Sequence, residues 1–435
     1  MDEIYDVIGI GFGPSNLALA FVIDEQCAHN GLKATFLEQK TAFAWHPHML
    51  LPGSEMQISF LKDLATLRNP SSPYTFLNYL KSVGRLAMFA NLRHFYPSRI
   101  EFNAYLAWVA GKLAHYVQFG RCVESVLPCG GEPATLLEVV CRNLGDGTVE
   151  RFFTRNIVVA PGGTPVTPFA VAVEGGSERV WHSARYMEQI ASYRTGARQP
   201  LRFAVVGSGQ SAAEIVLDLH SSFPHAEVYN IYRGFGLKPA DDSEFVNELF
   251  DGKFIDLVHT MPPEAQRGLL AAHADTNYSV VDAQLISQLY KIHYQEKVSG
   301  KPRLHVRNLS TVTGITETDQ QVCIATTAAS GAHETLVVDA AILATGYRYA
   351  NPPRVLDGLK EYLTMNAAND SATVIRHYKV ATDRRLGAGI YVQGCNESTH
   401  GLSDTLLSNL PFRAEEILQQ MMASHGAHHG VQTPA

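Results

Sequence analysis

Two glycine-rich turns, an acid and a base set one strand beyond them, and an isolated lysine carry the chemistry open to this 435-residue chain. The first turn, Gly9-Ile-Gly11-Phe-Gly13-Pro14, follows the apolar run at 4–10 and leads into Leu17, Leu19 and Ala20 at helical spacing. Glycines let a backbone approach a pyrophosphate closely, and a helix N-terminus offers N–H donors and a positive dipole end. Pro14 stands where the third glycine of such a fingerprint usually falls. Glu38 closes the next apolar segment, where a carboxylate accepts ribose hydroxyls. The device recurs at Gly207-Ser-Gly209-Gln210-Ser211, but the strand after it ends in Arg233. An acid there suits a free ribose 2′-hydroxyl and an arginine a 2′-phosphate. The pair therefore reads as FAD in the first site and NADPH in the second.

Lys62 lies between Leu61 and Leu64, so its ammonium either snorkels to solvent or meets an anion. The stretch before it, from Trp45-His46 to Met56-Gln57, is a polar and aromatic loop where a flavin ring would extend. The elements that must hold these residues are α/β in pattern: two Rossmann-like dinucleotide-binding domains and a smaller, mainly helical substrate-binding segment. Residues 1–165 and 340–435 form the FAD-binding domain, with a helical stretch at 74–117 and an antiparallel piece at 121–160. Residues 200–237 and 300–339 form the NADPH-binding domain, joined to the first by a linker at 165–200. Residues 238–299, with polar Lys238–Glu248 and Asp275–Ser279, read as an inserted helical roof over the cleft. Thr345-Gly346 ends a late apolar strand, and the segment from His400 to Ser408 opens a helix with Ser403 and Asp404 as capping candidates.

The charge of −7 and the lack of a basic stripe argue against nucleic acid or an anionic membrane as partner. No apolar run reaches bilayer-spanning length, and the acidic start is unlike a signal peptide. Six cysteines without close pairing fit a reducing cytoplasm, and they offer neither a redox pair nor a structural metal site. The terminal His425, His428 and His429 read as a solvated tail.

Several longer strings carry a resemblance. They are Gly11-Phe-Gly-Pro-Ser-Asn-Leu17, residues 56–70 (MQISFLKDLATLRNP), Gly207–Glu214, residues 238–248 (KPADDSEFVNE), Thr276-Asn-Tyr-Ser-Val-Val281, Ala344-Thr-Gly-Tyr347 and residues 400–408 (HGLSDTLLS). Over nearly its full length the chain resembles the microbial N-hydroxylating flavin monooxygenases, and within them the L-ornithine N5-monooxygenases of siderophore biosynthesis. Where that family usually reads Asp-Asp-Ser-Pro-Phe, this chain has Glu244. The resemblance implies that Lys62 binds the substrate α-carboxylate with help from Asn247. It implies that Asn277 holds the amino-acid end, and that Ser408 with Leu406 positions the amine. Met56 and Gln57 would flank the flavin beside Trp45 and His46; Asn277, Ser408 and Gln57 are thus the residues nearest the chemistry. Arg233 would grip the 2′-phosphate and Tyr278 would pack against the NADP ribose. The implied reaction is NADPH reduction of FAD, O2 addition to give a flavin C4a-hydroperoxide, and oxygen transfer to a neutral side-chain amine. Lysine, putrescine and cadaverine are the alternative substrates, and the assembly implied by resemblance is a homotetramer.

Overall fold

The computed structural model describes residues 3–27, 31–172, 177–195, 199–318, 320–366 and 370–429. The side chains of His425, His428 and His429 lie outside the described residues. Two five-stranded parallel sheets carry the architecture. In the first the order is Gly389–Val392, Asn156–Val159, Val7–Ile10, Ala34–Glu38, Val117–Phe119. In the second it is Val180–His182, Ala340–Leu343, Arg202–Val206, Glu227–Ile231, Leu304–Arg307. Their central strands read as unbroken apolar runs because both faces are covered, the usual state of parallel sheets. Each central strand ends in its glycine turn and feeds a helix, Pro14–Cys27 or Gln210–Ser222. Proline at the first helical position loses no hydrogen bond, which is why Pro14 is tolerated.

Each fold carries a small antiparallel sheet. Arg121–Cys129, Leu136–Asn143 and Val149–Thr154 attach to the first, as the alternation at 121–160 predicts. Ser310–Glu317, Val322–Ala328 and His333–Val338 attach to the second. The two chain crossings between folds, Thr164–Pro165 and Tyr347–Arg348, pair antiparallel with each other.

Three expectations shift. The strand Ala340–Leu343 hydrogen-bonds to Arg202–Val206, so the second fold runs past residue 340 to the crossing at Tyr347–Arg348. The stretch 165–200 is more than a linker: Val180–His182 is an edge strand of the second sheet and Tyr186–Arg194 is a helix packed on it. In the insert, only the part before residue 283 is separate. Helix Ala283–Ser299, capped by the Asp282 carboxylate and ended by left-handed Gly300, buries Leu289 in the core of the second fold. It is the crossover that returns the chain to strand Leu304–Arg307, parallel to Glu227–Ile231. Before it come Glu244–Asn247, Gly252–Thr260 and Pro263–Ala272.

Candidate active site

The first glycine turn is shaped by contacts a side chain would destroy. A Cβ on Gly9 would lie 2.1 Å from the Phe36 ring, and one on Gly11, at φ +84°, 2.6 Å from the Ala160 carbonyl. A Cβ on Gly13 would meet no atom within 4 Å, so that glycine leaves room outward, where a pyrophosphate would come. Glu38 is buried: its carboxylate accepts from Phe12 N at 2.6 Å and Lys40 N at 2.9 Å. It thus pins the turn. Beneath, buried Asn16 donates to the Gly11 carbonyl at 2.7 Å and accepts from Gln393 at 3.0 Å.

The second turn repeats the scheme. Gly207 sits at φ +142°, and a Cβ there would lie 2.3 Å from the Ala344 carbonyl. Buried Asn230 donates to the Gly207 carbonyl at 2.9 Å. Gly209 is the N-cap of the helix bearing Gln210 and Ser211. Arg233 is exposed and, among the described residues, makes no ion pair. Thr345 Oγ1 donates to the Val166 carbonyl at 2.5 Å, and left-handed Gly346 turns the chain into the crossing.

Between the folds lies the loop expected to meet the flavin. Buried Met56 donates its N–H to the Pro97 carbonyl at 2.9 Å, and Arg99 returns the bond to Ser54 at 2.9 Å. Gln57, exposed, donates to Gln210 at 3.4 Å, so these two candidates meet across the cleft. Trp45 packs edge-on to Phe102 and against His46, whose ring also faces Tyr347 at 6.2 Å. The surrounding protein, then the Arg99 and Lys40 charges, hold the His46 imidazole down at about 4. It is neutral at working pH.

Lys62 is held by its neighbour. Buried Asp63 accepts from the N–H groups of Ala65, Thr66 and Phe76, the last at 2.6 Å, and so fixes the loop onto the start of helix Phe76–Ser82. The half-buried Lys62 ammonium points over the Phe250 ring at 6.0 Å and makes no ion pair among the described residues. Phe250 belongs to the insert turn Glu248–Phe250, directly after Asn247, and that turn packs on Leu402–Thr405. Asn277 follows the turn Ala274–Thr276, and Tyr278 beside it donates its hydroxyl to Glu397. Lys62, Asn247, Asn277, Leu406 and Ser408 thus sit on elements that border one junction. The Ser408 and Ser403 hydroxyls there are buried, with no hydrogen-bond partner among the described residues. Burial raises the Glu397 carboxyl, against the Tyr278 hydrogen bond, and Asp404 adds to the rise. Adjoining it is a cavity of about 380 Å³ lined by Tyr278, Tyr347, Tyr349 and Glu397 among others.

The segment from His400 to Ser408 does not open a helix, and Ser403 caps nothing. It makes two short 3-10 turns, and the helix starts at Leu410. The reason is Asp404: its carboxylate accepts from Asn396 N at 2.6 Å and from Arg413, both buried, so it folds inward instead of capping. Arg413 also reaches Ser15 in the first fold at 3.0 Å. Arg99, Glu214, Arg413 and Glu397 carry no local sequence signal, and Asp404 shows only that of a helix cap. Arg99 and Glu214 stand 115 positions apart, a pairing no local pattern reveals. Among the described residues no cluster of His, Cys, Asp and Glu could hold a metal, and no helix is long and apolar enough to cross a membrane.

Twin nucleotide folds facing each other across a cleft, with a third element closing one end, define a two-dinucleotide oxidoreductase. A family model described as L-lysine 6-monooxygenase/L-ornithine 5-monooxygenase matches residues 3–349, and the chain belongs to that family. It is 44% identical to the L-ornithine N(5)-monooxygenase of Pseudomonas aeruginosa, over 95% of this chain and 93% of that protein. The ornithine N-hydroxylase of Kutzneria sp. 744, solved with reduced FAD, NADP+ and L-ornithine, superposes with TM-score 0.92 at 38% identity, covering 97% of this chain and 100% of that one. The L-lysine 6-monooxygenase of Pseudomonas syringae gives 0.83 at 31% identity, covering 97% and 99%.

Proposed function

We propose that the protein N-hydroxylates the side-chain amine of L-ornithine, using FAD, NADPH and O2, as a step toward a hydroxamate siderophore or related product. The first turn would take the flavin dinucleotide: Gly13 leaves the approach open, and Glu38 would meet the ribose. The second fits NADPH through Gly207, Gly209 and the uncommitted Arg233. When bound, the flavin supplies the redox and oxygen chemistry, and the protein supplies binding, orientation and exclusion of water.

The observation that carries the amino-acid substrate is Lys62: a half-buried cation that, among the described residues, has no counter-ion, at the junction of insert and cleft. It would take the α-carboxylate. Asn247 has both amide N–H groups committed, to Asp242 O at 2.7 Å and Ser243 O at 3.2 Å. Its free oxygen therefore suits the substrate α-ammonium better than the carboxylate. Asn277 and the unpartnered Ser408 hydroxyl would hold the remaining polar groups near the reacting nitrogen, with Leu406 as the apolar neighbour. That nitrogen must be neutral to attack, while a free alkylamine has a pKa of about 10.4. Glu244 is exposed on the first turn of its helix and adds negative charge to the outer face of the insert.

Product analysis across ornithine, lysine, putrescine and cadaverine, scoring hydroxylamine and peroxide together, tests the reading. Ornithine should be coupled best, and the diamines should mainly release peroxide. Lysine is the nearest competitor, because one methylene is worth only about 1–3 kcal/mol in a pocket. Efficient hydroxylation of putrescine would overturn the role of Lys62. The proposal places the enzyme in the cytoplasm as a homotetramer. The free thiols of the five described cysteines suit the first point, exposed Met88, Leu92 and Phe95 suit self-association, and sedimentation would check the assembly.

A further inference from the structure

The two nucleotide folds are joined by a closed circuit of side chains that no nucleotide-binding pattern requires. Arg99 opens helix Arg99–Lys112 of the first fold, and its backbone is laddered to the loop carrying Met56 and Gln57. Its guanidinium crosses the cleft to Glu214 in a two-pronged pair, 2.8 Å and 2.9 Å. Glu214 lies on the first turns of the second fold's helix, and both side chains are largely buried, 14% and 6% exposed. Gln210, one turn earlier, donates to Glu214 at 2.8 Å and accepts from Gln57 at 3.4 Å and from Asp282 N at 2.9 Å. The circuit therefore runs from the flavin-side loop through Arg99, Glu214 and Gln210 back to the same loop.

We propose that Glu214 is a positioning residue for hydride delivery: it locks Arg99 of one fold and Gln210 of the other into a circuit that fixes the angle between the two nucleotide sites. A planar guanidinium gripped at two points resists rotation as well as separation. A surface ion pair would add little, and could not hold a hinge, because its partners stay solvated. Here the pair is shielded, it sits at the first turns of the NADPH helix, and it is continuous with the loop that would flank the flavin. Hydride transfer needs reacting atoms within a few tenths of an ångström of contact, and misplacement by about 1 Å costs on the order of a hundredfold. The inference rests on the NADPH and FAD assignment above.

The test uses FAD-loaded protein under anaerobic stopped flow, with flavin reduction driven by NADPH and, separately, by dithionite, which needs no nucleotide site. Glu214→Gln keeps the shape and removes the charge. It leaves Arg99 buried and unpaired, so the double variant Arg99→Met/Glu214→Met accompanies it, with no orphaned charge. Both should lose roughly ten- to a hundredfold in the limiting rate of reduction by NADPH. Reduction by dithionite and flavin content should match the parent, and Glu214→Asp should recover part of the rate. If the double variant is reduced by saturating NADPH at the parental rate, the circuit is only structural and the inference fails. If the parent itself is not reduced by NADPH, the functional reading fails, and this inference with it.

Discussion

The two glycine turns are built alike yet finish differently. Each is held from beneath by a buried asparagine, Asn16 or Asn230, and each has a glycine at positive φ pressed on a carbonyl of a neighbouring strand's end. Past that point they diverge. Glu38 is buried and already spends its carboxylate on Phe12 N of the turn and Lys40 N just beyond its own strand, whereas Arg233 is exposed and, among the described residues, makes no ion pair. The first site is thus preorganised, suited to a group that stays. The second leaves Arg233, the residue proposed to meet the 2′-phosphate, in water, which suits a coenzyme that arrives and departs. An open arginine costs little when the site is empty, while a buried acid without its N–H partners would be costly.

The largest test of that contrast is Gly11→Ala. A methyl at φ +84°, 2.6 Å from a backbone carbonyl, cannot be accommodated, so the variant should lose flavin entirely or fail to accumulate. Gly13→Ala meets no protein atom, so its melting temperature without flavin should match the parent while flavin affinity falls. Together they separate strain in the turn from crowding of the ligand. Normal flavin content in both would remove the first site from the reading.

Next in size is Lys62→Ala. A carboxylate left unpaired in a shielded cleft costs about 3–5 kcal/mol, or several hundredfold or more, so KM for ornithine should rise by that order. More peroxide should be released per NADPH, while flavin reduction stays near parental. Unaltered KM and coupling would make Lys62 a snorkelling surface residue. A smaller change is expected at Arg233, because the open site is also wet. Arg233→Ala should lower NADPH use by roughly ten- to a hundredfold, a charged hydrogen bond being worth about 1.5–3 kcal/mol, and leave NADH use nearly alone. Equal loss with both coenzymes would return Arg233 to the solvated surface.

What the sequence disclosed and what it hid follow from range. The glycine turns, Glu38, Arg233 and the antiparallel piece at 121–160 are encoded within a few residues, by turn chemistry and period-two alternation. Lys62 stands out only through its string of neighbours, since its spacing alone is equally that of a snorkelling lysine. Helix Ala283–Ser299 has an ordinary amphipathic pattern, and nothing local says that it packs on the second fold. Asp404 beside Ser403 looks like a helix cap; its true partner, Arg413, lies on the next helix and draws the carboxylate inward. Arg99 and Glu214 belong to different folds, and only the closed cleft brings them together.

The smallest effect concerns acid, and it bears on how closed the first fold is. His400 is fully buried where the insert meets that fold, its ring 4.4 Å from Tyr378 and 5.5 Å from His259. Nε2 donates to the Arg376 carbonyl at 3.1 Å, and Nδ1 lies 2.8 Å from the Thr399 hydroxyl, which also reaches the Asn396 carbonyl at 3.1 Å. Burial, before any other influence, pushes the imidazole pKa down to about 3, so the ring stays neutral. In the unfolded chain the same group titrates near ~6.5. Below that pH the unfolded state binds a proton that the folded state refuses, so stability is fully present above ~6.5 and falls as pH drops toward 3. One such proton contributes at most about 1.4 kcal/mol per pH unit. His400→Gln keeps a donor for the Arg376 carbonyl without the titration. Its urea midpoint should therefore change less than the parent's between pH 7.5 and 5.5, a window chosen to cross ~6.5. Parallel pH slopes in the two proteins would mean that water or a rearranged seam lets His400 protonate in place, and that the first fold is more open than its hydrogen bonds imply.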